Sequence, residues 1–242
     1  MTSPVIAVVI PAWNEELRIG ATLERVVGYL EARREPFELV VADDGSVDGT
    51  VSVVESFAER GARVVSLGRN RGKGAAVRAG VAETSAARVL ITDADLSAPI
   101  EELPKLEAAL AAAELAIGSR DLPGSDIVVR QPWHRTLAGR AFRALVRALA
   151  LRGFHDTQCG FKLGRGAEMR SLCAELTVER FAWDVELIWL AVRRKMRVAE
   201  VGVVWRDDPE SRVHLLRDSA RMLVDVLSFR WRHRDAGRGG GE

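Results

Sequence analysis

The 242-residue chain has only two cysteines, Cys159 and Cys173, and no Cys-x-x-Cys. Neither a disulfide framework nor a structural zinc is expected, and reduced thiols are the default. Neither sign of charge dominates, with 35 Lys and Arg against 34 Asp and Glu, so there is no global field to draw in nucleic acid. There is no run of about eighteen apolar residues, so no bilayer span is expected. Met1-Thr2-Ser3-Pro4 enters an apolar run without the basic region of a signal peptide. Internal repeats are absent, and the Gly-rich stretch 236–242 is expected to be a disordered tail. Two phosphate motifs are missing as well. Gly72-Lys73-Gly74 has neither the upstream Gly nor the following Ser or Thr of a P-loop, and the first apolar run is not followed by G-x-G-x-x-G. What remains is a chain that is 48% hydrophobic, long enough for a substantial core in one large domain.

That core is written as apolar runs, each stopping at a polar cluster. Val5 to Pro11 stops at Ala12-Trp13-Asn14-Glu15-Glu16, and Phe37 to Ala42 stops at Asp43-Asp44-Gly45-Ser46. Ala62 to Leu67 stops at Gly68-Arg69-Asn70-Arg71-Gly72-Lys73-Gly74, and Val89 to Thr92 at Asp93-Ala94-Asp95. Helical periodicity follows the first three, through Leu17 to Leu30, Val53 to Phe57 and Ala75 to Ala82. Alternation of this kind predicts an α/β fold of parallel βαβ units, with every polar cluster on one rim at the carboxyl ends of the strands. Further on, helices are expected over Leu103 to Ala113, Trp133 to Leu151, Trp183 to Val192 and Val213 to Phe229. Strands are expected at Glu114 to Ile117 and Val198 to Trp205, with a loop from Asp121 to Gln131. The basic residues of the Trp133 to Leu151 helix, Arg135 among them, fit either a solvated face or a phosphate- or membrane-facing one.

The rim carries the chemistry. Asp93 and Asp95 are an oxygen pair suited to Mg²⁺ or Mn²⁺, and such ions suit diphosphates. Lys73, Arg120 and Arg212 are candidates for phosphate charge, and Asn14, Glu15, Asp43 and Asp44 for base and ribose. Together they predict a nucleotide-diphosphate site. A haloacid dehalogenase-like phosphatase also ends a strand in Asp-x-Asp, but there the pair would be expected near the N-terminus rather than after three strands.

V-V-I-P-A-W-N-E-E, V-A-D-D-G-S-V-D-G-T, N-R-G-K-G-A-A-V-R-A-G and T-D-A-D-L resemble the N-terminal half of a family 2 glycosyltransferase. Gly118-Ser119-Arg120, Asp156 to Leu163, Trp183 to Leu187 and Ser211-Arg212-Val213 resemble the dolichyl-phosphate β-glucosyltransferases in particular. The resemblance implies a GT-A fold: a single Rossmann-like, mostly parallel sheet flanked by helices, with acceptor-side helices toward the C-terminus. The domain is expected over 1–235, with a nucleotide-sugar half at 1–120 and an acceptor half at 121–235. It implies inverting, metal-dependent transfer of a hexose, glucose, from a UDP-sugar to a polyprenyl phosphate. The alternatives are another nucleotide sugar, such as GDP-mannose, or a soluble hydroxyl acceptor. Pro11, Ala12, Asn14, Glu15 and Asp44 match nucleoside-contacting positions, with Asp43 beside them. Asp93-Ala94-Asp95 match the D-x-D, with Asp95 the principal metal ligand, and Arg120 matches a basic residue near the phosphates. The chain departs from the family at Leu96, where a Gly is usual, and at Arg212 and Gly164.

A phosphate acceptor needs no general base, since a monoester with second pKa near 6 is already largely dianionic at neutral pH. Arg130, Arg135 and Lys162 are candidates to hold it. Asp156 and Asp184 are candidates to orient those cations, touch sugar hydroxyls or cap helices. No counterpart of the eukaryotic members' N-terminal anchor is expected, and the aromatic and basic segment Ser228 to Arg234 is expected to meet the cytoplasmic face of a membrane peripherally.

Overall fold

The computed structural model describes residues 3–129, 151, 153–206 and 215–235; side chains at 128–129, 215–220 and 234–235 are outside the description. Strands β1 (Ile6–Ala12), β2 (Phe37–Asp43), β3 (Ala62–Ser66) and β4 (Arg88–Ile91) pair in parallel, in the order β3-β2-β1-β4. Helices α1 (Glu16–Ala32), α2 (Thr50–Glu55) and α3 (Lys73–Ala82) make the crossovers. Every side chain of β1 is buried, as expected of a strand covered on both faces. Its alternation divides the core. Ala7 and Val9 join a cluster with Val77, Val81, Trp183 and Leu187, whereas Ile6, Val8 and Ile10 join one with Leu23, Val26 and Leu30.

Beyond β4 the chain adds α4 (Leu103–Leu110), β5 (Leu115–Ser119), β6 (Asp126–Val129), β7 (Lys162–Arg165), α5 (Gly166–Ala174), α6 (Trp183–Arg193), β8 (Val198–Gly202), β9 (Val204–Arg206) and α7 (Leu215–Asp235). Strand β7 runs antiparallel between β4 and β5, with Lys162 opposite both Ile91 and Ile117. A strand from the second half of the chain thus lies inside the sheet of the first. Because it runs backwards, its first residue and the loop before it arrive at the rim where β4 and β5 end.

Three expectations are corrected here. Val198 to Trp205 is two strands: β8 continues the main sheet beside β5, then β9 pairs with β6 in a separate two-stranded sheet. The stretch expected as a loop from Asp121 contains β6, because Ile127-Val128-Val129 finds that partner. The last helix runs on to Asp235 rather than stopping at Phe229. The helix expected over Trp133 to Leu151 and the tail 236–242 lie outside the described residues, apart from Leu151, which is buried and has no helical assignment.

Candidate active site

The turns after β1 and β2 hold each other. Asn14 takes a left-handed φ of 56°; its N–H donates to Ser46 Oγ at 2.8 Å, and its Oδ1 accepts the Val47 N–H at 2.8 Å. The Glu15 N–H donates to Thr50 Oγ1 at 2.7 Å, and the Ala12 carbonyl accepts the Asp44 N–H at 2.8 Å. Asp43 accepts from the Ser46 N–H at 3.1 Å and the Ser66 hydroxyl at 3.0 Å. Asp44 accepts the N–H groups of Arg71 at 2.7 Å and Gly72 at 2.8 Å. Burial raises the Asp44 pKa, and those two N–H groups offset this only in part. Gly72 sits at φ 122°, and a Cβ there would stand 2.4 Å from the Glu179 carbonyl oxygen. Only glycine fits this bend, which leads directly into Lys73 at the start of α3.

Lys73 reaches across to Asp93, past the end of β4, and the two form an ion pair. Burial would raise the Asp93 pKa, but Lys73, then Lys162 and Arg120, hold it down. Burial likewise opposes the Lys73 charge and is outweighed by Asp93. Asp95 goes the other way: burial and the neighbouring Asp93 charge raise its pKa, although Oδ1 accepts the Ser97 N–H at 2.9 Å. Directly after the second carboxylate, Leu96 adopts φ 46°. That left-handed conformation costs a non-glycine residue about 1–2 kcal/mol, and it falls at the position where the resemblance calls for Gly.

Behind this rim lies a second charged group. Arg120, just past β5, donates from Nε to Asp156 Oδ2 at 2.6 Å and from Nη2 to Oδ1 at 2.9 Å, and its backbone N–H donates to Oδ2 at 3.1 Å. The guanidinium carbon lies 5.2 Å from the Trp205 ring centroid. Lys162 is fully buried; its Nζ donates to the Cys159 carbonyl and stands 5.5 Å from the Trp183 ring centroid. Asp184, in the first turn of α6, accepts the Val185 N–H at 2.7 Å. Burial pushes its pKa up to about 6, against the pull of Lys162.

The fold therefore brings Lys73, Asp93 and Asp95 together at the rim, with Arg120, Asp156, Lys162 and Asp184 around them. Asn14, Glu15, Asp43 and Asp44 form the adjoining stretch of the rim, connected through the Arg71 to Lys73 turn. Arg130, Arg135 and Arg212 lie outside the described residues. Sequence reasoning gave no role to Gly160, where a Cβ would fall 2.2 Å from Asp93 Oδ2. Nor did it give one to the rings of Trp183 and Trp205. The glycine beside the buried Cys159 and Phe161 was the available signal.

Among the described residues no group of three or more His, Cys, Asp or Glu forms a metal cage. Two carboxylates are nevertheless a suitable donor set for Mg²⁺ or Mn²⁺, which complete their shells with phosphate oxygens and water. A cation held by the pair would offset the repulsion of the neighbouring Asp93 charge, which after burial is what raises the Asp95 pKa.

Residues 7–167 match the family model described as "Glycosyl transferase family 2". The chain belongs to that family. It is 38% identical to the dolichyl-phosphate beta-glucosyltransferase of Drosophila melanogaster, covering 94% of this chain and 77% of the relative. It is 34% identical to the human protein of that name, over 94% and 75%. Among solved structures, glucosyl-3-phosphoglycerate synthase from Mycobacterium tuberculosis, in complex with Mn²⁺, UDP and glucosyl-3-phosphoglycerate, aligns with a TM-score of 0.70 at 23% identity, over 94% of this chain and 80% of that one. Mannosyl-3-phosphoglycerate synthase from Rubrobacter xylanophilus aligns with a TM-score of 0.66 at 20% identity, over 99% and 77%. The protein is a glycosyltransferase of the GT-A fold, and the phosphatase alternative falls.

Proposed function

We propose that this glycosyltransferase moves glucose from UDP-glucose to a polyprenyl (dolichyl-type) phosphate, inverting the anomeric carbon, with Mg²⁺ or Mn²⁺ at Asp93 and Asp95. The observation that carries the reading is the meeting of Lys73, Asp93 and Asp95 at one rim, in a chain similar over 94% of its length to relatives named for that acceptor. Asp44 and Asp43 are assigned to the base: a carboxylate accepts the uracil imide N–H, which adenine cannot offer in that place. Asp95 is the principal metal ligand, since one oxygen of Asp93 is already committed to Lys73. A bound divalent ion would stabilise the departing diphosphate. The residues around it act by alignment and by offsetting the charge of two facing anions. The acceptor phosphate brings its own negative charge, so no side chain needs to take a proton from it. Arg130 and Arg135 are assigned to that phosphate, whereas Lys162, fully buried against the Cys159 carbonyl and Trp183, holds the wall behind the rim instead of meeting the acceptor. An acceptor held in lipid implies membrane contact, which this reading assigns to the cytoplasmic face.

A second reading has one observation in its favour. The same M. tuberculosis enzyme, solved with phosphoglyceric acid, is 25% identical with a TM-score of 0.70, so a small soluble acceptor is the competing case. Incubation with radiolabelled UDP-glucose, UDP-galactose or GDP-mannose and a divalent metal, with short-chain polyprenyl phosphate and phosphoglyceric acid both offered as acceptors, separates the two. Label from UDP-glucose entering the organic phase supports the lipid reading. Label that transfers only to phosphoglyceric acid and stays in water overturns it.

A further inference from the structure

The last helix, α7, buries one face and leaves the other bare. Met222, Val226, Phe229 and His233 are buried. The Phe229 ring meets Trp189 edge-on at 5.3 Å, and His233 Nε2 lies 2.7 Å from Glu186 Oε1. The segment expected to meet a membrane therefore turns two of its side chains into the core. On the opposite side Val224, Leu227 and Trp231 are 65%, 53% and 67% exposed, and spacings of three and four residues set them in one stripe. Arg221, Arg230 and Arg232 are also exposed on this helix. Arg232 donates to the Thr177 carbonyl at 3.3 Å, and with Arg180 and Arg221 it acts on Asp225, beside which Glu186 is a second acidic group. Over its whole length the helix carries five arginines against three aspartates, so the apolar stripe lies on a net positive helix.

Single exposed apolar residues need no explanation, but a row of Val, Leu and Trp on one helix face does. An isologous contact with a second copy would set arginine against arginine. An anionic lipid surface is complementary: Trp and Leu enter the headgroup boundary while arginine stems reach back to phosphates. No helix among the described residues is long and apolar enough to cross a bilayer, so this face suits a helix lying in the interface plane.

We propose that the Val224, Leu227 and Trp231 face of α7 docks the protein on an anionic lipid surface. This rests on the lipid-acceptor reading and identifies the surface through which the active site reaches its substrate. The buried face of the same helix meets the active-site loop, since Gln158 Nε2 lies 3.9 Å from Met222 Sδ and Gln158 belongs to the loop that carries Asp156 and Gly160; docking through the opposite face would hold that loop within one helix thickness of the lipid.

Co-sedimentation with phosphatidylcholine vesicles, with and without phosphatidylglycerol, tests the proposal on the full chain. The wild type should bind the anionic vesicles and release in high salt. The triple variant Val224→Ser, Leu227→Ser, Trp231→Ser should partition roughly tenfold less or weaker still. It should keep the wild-type melting curve and full transfer to a detergent-dispersed short-chain acceptor. Arg221→Glu with Arg230→Glu should weaken binding with the apolar stripe intact. Equal vesicle binding by wild type and triple variant overturns the proposal. So does a dimer that the triple variant loses, with no vesicle binding. If vesicles bind as described but no sugar acceptor is found, the docking face stands and the function fails on its own.

Discussion

The donor rim and the charged group behind it use similar side chains to opposite ends. At the rim, the two Asp44 oxygens accept one main-chain N–H each, and Asp95 Oδ1 accepts one. The Lys73 and Asp93 side chains are each 27% exposed. A carboxylate oxygen has a second lone pair, so these groups can take a ligand donor or a cation without giving up the bonds they already make. Behind the rim, Arg120 is held through Nε, Nη2 and its backbone N–H by Asp156, which is fully buried, and it is stacked on Trp205. Lys162 is enclosed by the Cys159 carbonyl and Trp183. Charge at the rim is available to substrate; charge behind it fixes the walls.

Breaking the wall should cost the most. Arg120→Ala takes the forked guanidinium away from the buried Asp156 carboxylate and should destabilise the fold by about 3–5 kcal/mol, read as a lower urea midpoint. Arg120→Lys should recover only part of this, because an ammonium cannot make the forked contact. A midpoint unchanged in Arg120→Ala would place this pair among the exposed, weakly coupled ones.

Joining the two regions by force should cost less. Gly160→Ala puts a Cβ against the Asp93 carboxylate, so that carboxylate or the loop must move. Overpacking of this kind costs about 1–3 kcal/mol. Turnover should fall more than stability, since Asp93 is pushed out of register with Lys73. Full activity in Gly160→Ala would show that Asp93 need not be held in place.

The smallest effect reverses sign. Asp184 has a folded pKa of about 6, above its unfolded value, so its charge is a burden that is absent at low pH and complete above about pH 6. Asp184→Asn should therefore leave stability unchanged near pH 4. Above pH 7 it should raise stability by about 1–2 kcal/mol, less than the roughly 3 implied by the shift because the amide must still be buried. Activity should drop across the same range. Melting temperatures measured at both pH values decide it, and a loss of stability at pH 7 would contradict the assignment.

The rim was legible because a parallel strand buried on both faces spells an unbroken apolar run, and its end is marked by the first polar residue. Asp43, Asp44, Asp93 and Asp95 could be placed on one edge from that rule alone. The wall was not legible. Lys162 and Asp156 reach the rim because β7 runs antiparallel between β4 and β5, and a four-residue strand carries no signal of its direction. The break at Val203 is hidden for a similar reason: Val198 to Trp205 shows one strand-like pattern, though its halves pair in different sheets. On α7 the apolar residues lie on both faces, so periodicity alone could not say that Phe229 turns inward while Trp231 faces out. The glycine missing after the D-x-D had a visible consequence, since Leu96 keeps the left-handed backbone that glycine would adopt freely.

Calorimetric titration of UDP with Mn²⁺, with Mg²⁺ and with EDTA, on the wild type and on Asp95→Ala, tests most directly that the rim is a metal-dependent nucleotide-diphosphate site. The wild type should bind in the presence of either cation. EDTA or the substitution should weaken binding by on the order of a hundredfold, about 2.7 kcal/mol, with the melting curve of Asp95→Ala unchanged. Equal UDP affinity in EDTA and in Asp95→Ala would contradict the account.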